Sequence, residues 1–261
     1  MSFMIAHRRK VALRAHSNHN LFVSSFEPLP QVPATPDIPG FRPDRCATYL
    51  AGTAAAPPRA QLLAAIEAWK SQAPQAGVSR HAAPIALDVG CGPGREMVAL
   101  LEAGFAVDAI DPYPEMIDLA RTAVTAARVD LSRVYLAVGT LEDHAASLAI
   151  DRYDIVHAGF VLPFVRPAAF DRCWDALTRT LRDGGIFAGQ FFGAHDEFIL
   201  TAAPSEMTSH TAAELDALFR DWHVIEREEV ERDGCVGRGV AKHWHVHHIV
   251  ARKPSGTRVL G

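Results

Sequence analysis

The sequence predicts an α/β fold: one doubly wound, mostly parallel sheet with helices on both faces and an antiparallel hairpin at its C-terminal end. Three observations predict it. Beyond Arg59, short apolar runs alternate with stretches whose apolar residues recur at helical spacing. The short runs are almost continuously apolar, as strands covered on both faces are. The alternation then stops, and two β-rich segments follow one another with only a glycine-containing loop between them.

Each element has its own signal. "RAQLLAAIEAWK" carries Leu62, Leu63, Ile66 and Trp69 at helical spacing, and "PIALDVG" is a short apolar run bounded by Pro and Gly, a first strand. "REMVALLEAG" is a helix ending at Gly104, and "FAVDAID" a second strand. "PEMIDLARTAVTAA" continues as helix, "VYLAVG" as a third strand and "YDIVHAGF" as a fourth. A helix over "AAFDRCWDALTRTLRDGG" leads into the fifth strand, "IFAGQFF". The stretch "GAHDEFILTAAPSEMTSH" is a loop, "TAAELDALFRDW" a helix, and "HVIEREEVERDG" with "KHWHVHHIVARK" the closing hairpin. The N-terminal part differs. Residues 1 to 26 carry Arg8, Arg9, Lys10 and Arg14 with no acid, and then "EPLPQVPATPDIPGFRP" follows, in which prolines block helix and sheet alike. Residues 1–40 therefore form a flexible arm, basic and then Pro-rich, and 41–261 the folded domain. The basic end has the composition of a transit peptide, but a disordered basic tail, or an upstream start codon ahead of Met4, is the preferred reading.

Composition excludes several classes. The 261 residues are 49% hydrophobic and 21% charged, which suits a globular chain able to bury a large core. A net charge of −4 argues against a surface built to hold nucleic acid. No apolar run reaches membrane-spanning length; "IVHAGFVLPFV" is too short and contains Pro163. Cys46, Cys91, Cys173 and Cys235 form no C-x-x-C pair, so neither a zinc knuckle nor a disulfide framework is expected, and a reducing cytoplasm suits the chain.

The chemistry is concentrated in "ALDVGCGPGRE", Ala86 to Glu96. Its glycines follow the first strand and precede a helix, where an open α/β sheet binds ligands, and they let a ligand approach bare backbone. Asp111 ends the second strand, roughly 20 residues on, where a carboxylate accepts hydrogen bonds from the two ribose hydroxyls of an adenosine. A dinucleotide fingerprint reads G-x-G-x-x-G; Gly90, Gly92 and Gly94 read G-x-G-x-G, with Arg95 where the third dinucleotide glycine belongs.

"LDVGCGPGRE" followed by "AIDPYPEMI" resembles the class I S-adenosylmethionine-dependent methyltransferases, which have a Rossmann-like sheet ending in such a hairpin, over roughly Leu62 to Lys253. The C-terminal stretch is similar to the small stand-alone types near the tellurite-resistance and thiopurine methyltransferases. The resemblance implies an enzyme that binds S-adenosylmethionine and passes its methyl group to a small acceptor with an O, N, S or chalcogen nucleophile. No nucleic-acid or membrane partner is implied, and the oligomeric state is left open. It further implies that Asp88, Gly90, Cys91, Gly92 and Gly94 border the methionine half of the cofactor. Asp111 would hold the ribose, with Pro112 and Tyr113 beside the adenine. In "GTLED", Thr140 stands at the usual acid position, so Glu142, Asp143 or the backbone near Leu141 would meet the adenine amino group. Ala158, Gly159 and Phe160 would face the sulfur. Arg59, at the start of the first helix, is placed either to pair with the cofactor carboxylate or to lie in solvent.

Methyl transfer from a sulfonium needs alignment and exclusion of water more than it needs side-chain chemistry. An O or N acceptor that loses a proton would want a base; His157, His195 and His245 lie nearest the expected strand ends. Cys91 reads as a small loop residue, and His243, His245 and His247, on one strand face with no carboxylate motif beside them, read as structural histidines with no metal. A nicotinamide-dependent oxidoreductase and a catalytically silent cofactor-binding protein are the alternatives. A small acceptor would be covered by residues 41–58 and the loop after the fifth strand.

Overall fold

The computed structural model describes residues 56–72, 83–236 and 239–255. The arm over residues 1–40 and the start of the domain at Phe41 lie outside them. Helix α1 spans Ala60–Lys70, β1 Ile85–Val89, α2 Arg95–Glu102, β2 Ala106–Asp111, α3 Pro114–Ala126, β3 Val134–Val138 and the one-turn α4 Leu141–His144. Strand β4 follows over Tyr153–Ala158, α5 over Pro167–Thr180, β5 over Leu181–Phe192, α6 over Glu197–Thr201, α7 over Ala212–Leu218, β6 over His223–Val236 and β7 over Val240–Arg252.

The seven strands form one sheet in the order β3-β2-β1-β4-β5-β7-β6. β1 to β5 pair in parallel, β7 runs antiparallel to β5, and β6 antiparallel to β7. The crossover from β3 back past β1 to β4 opens a crevice at the C-terminal ends of β1 and β4, the switch point of a doubly wound sheet. Alternate residues of the parallel strands feed two separate cores. Leu62 and Ile66 of α1, Met97 and Leu100 of α2 and Ile117 and Val124 of α3 cover one face. Phe170, Trp174 and Leu177 of α5, with Leu215 of α7 and the adjoining Phe219, cover the other. Pro at the first helical position starts both α3 and α5, where a missing N–H costs nothing.

Two boundaries differ from the sequence reading. The helical pattern of "TRTLRDGG" breaks at Thr180, because the β4 edge claims the chain there: Arg152 N–H donates to the Thr180 carbonyl at 2.8 Å and Tyr153 pairs with Leu181. The pairing then shifts register before Ile155 meets Ile186, and Gly184 takes φ +74° within the irregularity. The loop after β5 also contains α6, capped by the Asp196 carboxylate, which accepts from Phe198 N–H.

Candidate active site

The first strand carries the chain to its C-terminal end and releases it as a loop that only glycine can follow. Gly90, Gly92 and Gly94 have φ of +68°, +52° and +90°. Their reasons differ. A Cβ on Gly90 would sit 2.3 Å from Val161 Cγ2, and one on Gly94 would sit 2.8 Å from Ala120 Cα, so these two glycines admit neighbouring protein. A Cβ on Gly92 would meet nothing within 4 Å. That bare backbone faces open space.

Asp111, at the end of β2, is tied to this loop. Its carboxylate accepts from Gly92 N–H at 2.9 Å and from Tyr113 N–H at 3.0 Å. Burial pushes its pKa up to about 6, against the two backbone donors, and nearby Asp88 adds to the rise. Asp88 is wholly buried in β1, opposite His157 of β4 in the strand register, and its Oδ1 lies 2.7 Å from His157 Nδ1. Burial raises its pKa while His157 opposes the rise. Asp88 Oδ2 and His157 Nε2 are both buried without a hydrogen-bond partner, which are loose ends a ligand can satisfy. The thiol of Cys91 is pushed well above its usual range by burial, with Asp111 and Asp88 adding to it, so it is no nucleophile.

Arg59 closes the cleft from α1. Its Nε lies 3.6 Å from Glu96 Oε1, a carboxylate that also holds the Arg95 guanidinium, and its guanidinium carbon lies 4.5 Å from the centre of the Phe160 ring. Arg59, Gly90, Gly92, Glu96, His157 and Gly159 all line one cleft. Phe160 itself has φ +57°, held by its N–H donating to Gln190 Oε1 at 3.2 Å. Gln190 in turn bonds Gln61 of α1 at 3.3 Å. This pair of glutamines was not singled out in the sequence, although a lone amide in the apolar run "IFAGQFF" is its trace.

After β3, Thr140 and Asp143 form a closed capping box on α4, and Glu142 accepts from Arg166 N–H at 3.0 Å. Both acids are therefore engaged, and Leu141 is buried beside them. Pro112 and Tyr113 lead from Asp111 into α3. Ala158 is fully buried at the end of β4. Of the three histidines considered as bases, only His157 lines the cleft. His195, in the loop after β5, and His245, on β7, lie together with ring centres 5.1 Å apart. There the sequence reading found no carboxylate motif; the hairpin register supplies one, setting Glu229 opposite His247, Glu231 opposite His245 and Asp233 opposite His243.

Residues 86–185 match the family model described as a methyltransferase domain. Residues 86–185 thus carry a methyltransferase domain. Over 111 residues the chain is 35% identical to the uncharacterized methyltransferases Rv3342 of Mycobacterium tuberculosis and Mb3374 of Mycobacterium bovis. The match covers 42% of this chain and 40% of each relative, so the chain spans about two fifths of the length of the curated relatives it matches. Among solved structures, the 1,6-didemethyltoxoflavin-N1-methyltransferase of Burkholderia thailandensis, with bound 1,6-didemethyltoxoflavin and S-adenosylhomocysteine, superposes with a TM-score of 0.53 at 21% identity, covering 81% of this chain and 86% of that one. TehB of Haemophilus influenzae gives 0.54 at 18% identity over 66% and 58% of the two chains. The [4+2]-cyclase SpnF gives 0.50 at 15% identity over 68% and 77%. At such identities the likeness is one of fold, and the methyltransferase fold evidently also carries a cyclase. Among the described residues no helix is long and apolar enough to cross a membrane.

Proposed function

We propose that the methyltransferase domain holds S-adenosylmethionine across the ends of β1, β2 and β4 and passes its methyl group to a small, partly apolar acceptor. The observation that carries this reading is the bond from Gly92 N–H to the Asp111 carboxylate, which puts the ribose-binding acid and the open glycine in one place. When bound, the cofactor supplies an activated methyl on a sulfonium. The chain has to bind it, orient it and keep water out.

In this reading Asp111 receives the ribose hydroxyls, and Pro112, Tyr113 and the backbone at Leu141 flank the adenine. The capping box and the Arg166 contact leave the acids of "GTLED" engaged elsewhere. Arg59 offers its guanidinium to the amino-acid carboxylate, and the orphan oxygen of Asp88 is placed for the ammonium group. Cys91 and Gly94 shape the loop, and Ala158 and Phe160 border the sulfur. His157, held by Asp88, is the base available to an acceptor that must lose a proton.

In this reading the acceptor would meet the cofactor past Phe160, beside an aromatic cluster. The Phe160 ring centre is 5.9 Å from those of Phe192 and Trp244, and Phe164 and Phe198 stand 6.2 Å from Phe192. The loop after β5 lies over this aromatic wall, with Met207 packed against Phe192 and Thr208 bonded to Val165 O at 2.6 Å. Such a wall suits an aromatic or aliphatic small molecule better than a polymer. The site and the three free cysteines described, Cys91, Cys173 and Cys235, suit a reducing, cytoplasmic setting. The test is a panel of phenols, amines, thiols and chalcogen anions, read by formation of S-adenosylhomocysteine. Turnover on an apolar small acceptor is expected. Preferential methylation of a macromolecule would overturn the enclosed chamber, and tight cofactor binding with no turnover on any acceptor would favour a silent binding protein.

A further inference from the structure

On the far edge of the sheet, away from the cleft, the β6–β7 ribbon gathers histidines and carboxylates on one face. We propose that Glu229, His245 and His247 form a binding site for one divalent transition ion of the zinc class, with Glu231 as the positioning residue behind His245.

The donor atoms converge. His245 Nε2 lies 2.9 Å from Glu229 Oε1, Glu229 Oε2 lies 3.8 Å from His247 Nδ1, and one ligand atom from each residue falls within 4.8 Å of the others. Tetrahedral zinc with bonds of about 2.0–2.2 Å to His and carboxylate sets its donors roughly 3.3 Å apart, so small side-chain adjustments seat an ion. Two imidazoles and a carboxylate leave one position for water, and they suit zinc, nickel or copper over magnesium or calcium.

His247 separates this cluster from an ordinary ladder of surface charges. Its side chain is only 1% exposed, and neither ring nitrogen makes a hydrogen bond of ordinary geometry, although the His210 backbone lies close enough to act on the ring. A buried imidazole with unmet nitrogens beside a carboxylate is a cost that a metal ion removes. The partners of this ring lie within a strand register, so its position is fixed before any ion arrives.

His245 must change tautomer on binding. Its Nδ1 accepts from His195 N–H at 3.2 Å, and its Nε2 faces Glu229. With an ion on Nε2, the ring proton moves to Nδ1, the bond from the His195 backbone N–H to that nitrogen is given up, and Glu231 Oε2, 3.9 Å away, is the carboxylate placed to accept the new N–H as the side chains adjust. His195, whose Nδ1 lies 3.0 Å from Glu231 Oε1 and whose side chain is 65% exposed, then bonds Glu231 from outside without ligating. His243 belongs to Asp233 at 2.8 Å and stays out of the set.

The experiment uses the untagged full chain, with Zn2+ in competition with a chromophoric chelator and Co2+ as a spectroscopic probe. One ion per chain and the intense visible absorption of four-coordinate Co2+ are expected. Glu229→Gln and His247→Ala should each weaken Zn2+ by at least about 100-fold, Glu231→Gln by about 10–100-fold, and His195→Ala by less than about threefold. Because His247 is buried and its variant can misfold, Glu229→Gln, with its side chain 48% exposed, keeps the test decisive. Zn2+ bound no tighter than about 100 μM by the wild-type chain, or equal affinity in Glu229→Gln, would overturn the site.

Discussion

Replacing Gly92 and Gly94 in turn by alanine separates the glycine that faces a ligand from the glycine that faces protein. At Gly92 the added Cβ meets no atom within 4 Å, so the only structural cost is a left-handed φ of +52° for an L-residue, about 1–2 kcal/mol. At Gly94 the same kind of strain at φ +90° is joined by contacts of 2.8 Å to Ala120 Cα and 3.2 Å to Met97 Cε. The first of these is backbone, so α3 must move away from α2, which adds about 1–3 kcal/mol of overpacking. The sums are about 1–2 and 2–5 kcal/mol. For a domain of this size they lower the melting temperature by about 2–8 °C and 4–20 °C. Cofactor binding should run the other way. Gly92→Ala fills the space the ligand needs and should weaken S-adenosylhomocysteine by at least about 10-fold, whereas Gly94→Ala should weaken it less at temperatures where it remains folded. Thermal melts and calorimetry on both variants read the two effects. Affinity within twofold of wild type in Gly92→Ala, or equal destabilisation by the two changes, would refute the division.

Three further outcomes follow from the same geometry. Arg59→Ala should weaken the cofactor by about 10–100-fold, the worth of one charge-assisted hydrogen bond, with little change in melting temperature; unchanged affinity in a titration would return Arg59 to the surface. Asp196→Ala leaves the buried Lys242 ammonium, 2.6 Å from both carboxylate oxygens and 3.6 Å from the Trp244 ring centre, without its counter-ion, at about 3–5 kcal/mol, while the double change Asp196→Leu with Lys242→Met should recover part of that loss in a denaturant melt, leaving the cost of the lost α6 cap, about 0.5–2 kcal/mol, and of the unpaired His245 N–H. Asp111 titrates at about 6, so cofactor affinity should fall as pH drops below 6 and the carboxylate takes up a proton. Its contribution to folding has the opposite sign. The pKa is raised in the fold, so that contribution is fully present below the unfolded value near 4 and is lost as pH rises through 6. Affinity measured flat from pH 5 to 8 would show that the ionised form is not required.

What was legible in the sequence was local. The glycines and Asp111 are read from spacing, because a strand, a turn and a helix fix them within a few residues of chain. The alternation of elements was legible for the same reason, and the ribbon of β6 and β7 with it. What was hidden depends on register and crossover. His157 finds Asp88 only because β4 lies beside β1, and Gln190 finds Gln61 only because β5 packs under α1. Glu229 and Glu231 look like ordinary solvent-facing acids until the hairpin sets them opposite His247 and His245. The end of α5 was misplaced for a related reason: "TRTL" keeps a helical period, and an edge of β4 far off in the sequence overrides it at Leu181.

The central claim is that the cleft holds S-adenosylmethionine through Asp111. Its most direct measurement is a calorimetric titration of the full chain with S-adenosylhomocysteine at pH 8, in parallel with Asp111→Ala. The account predicts one site per chain, no heat with NAD, and a loss in the variant of about 2–4 kcal/mol, or about 30- to 700-fold. No binding by the wild-type chain, or equal affinity in a variant with an unchanged circular dichroism spectrum, would contradict it.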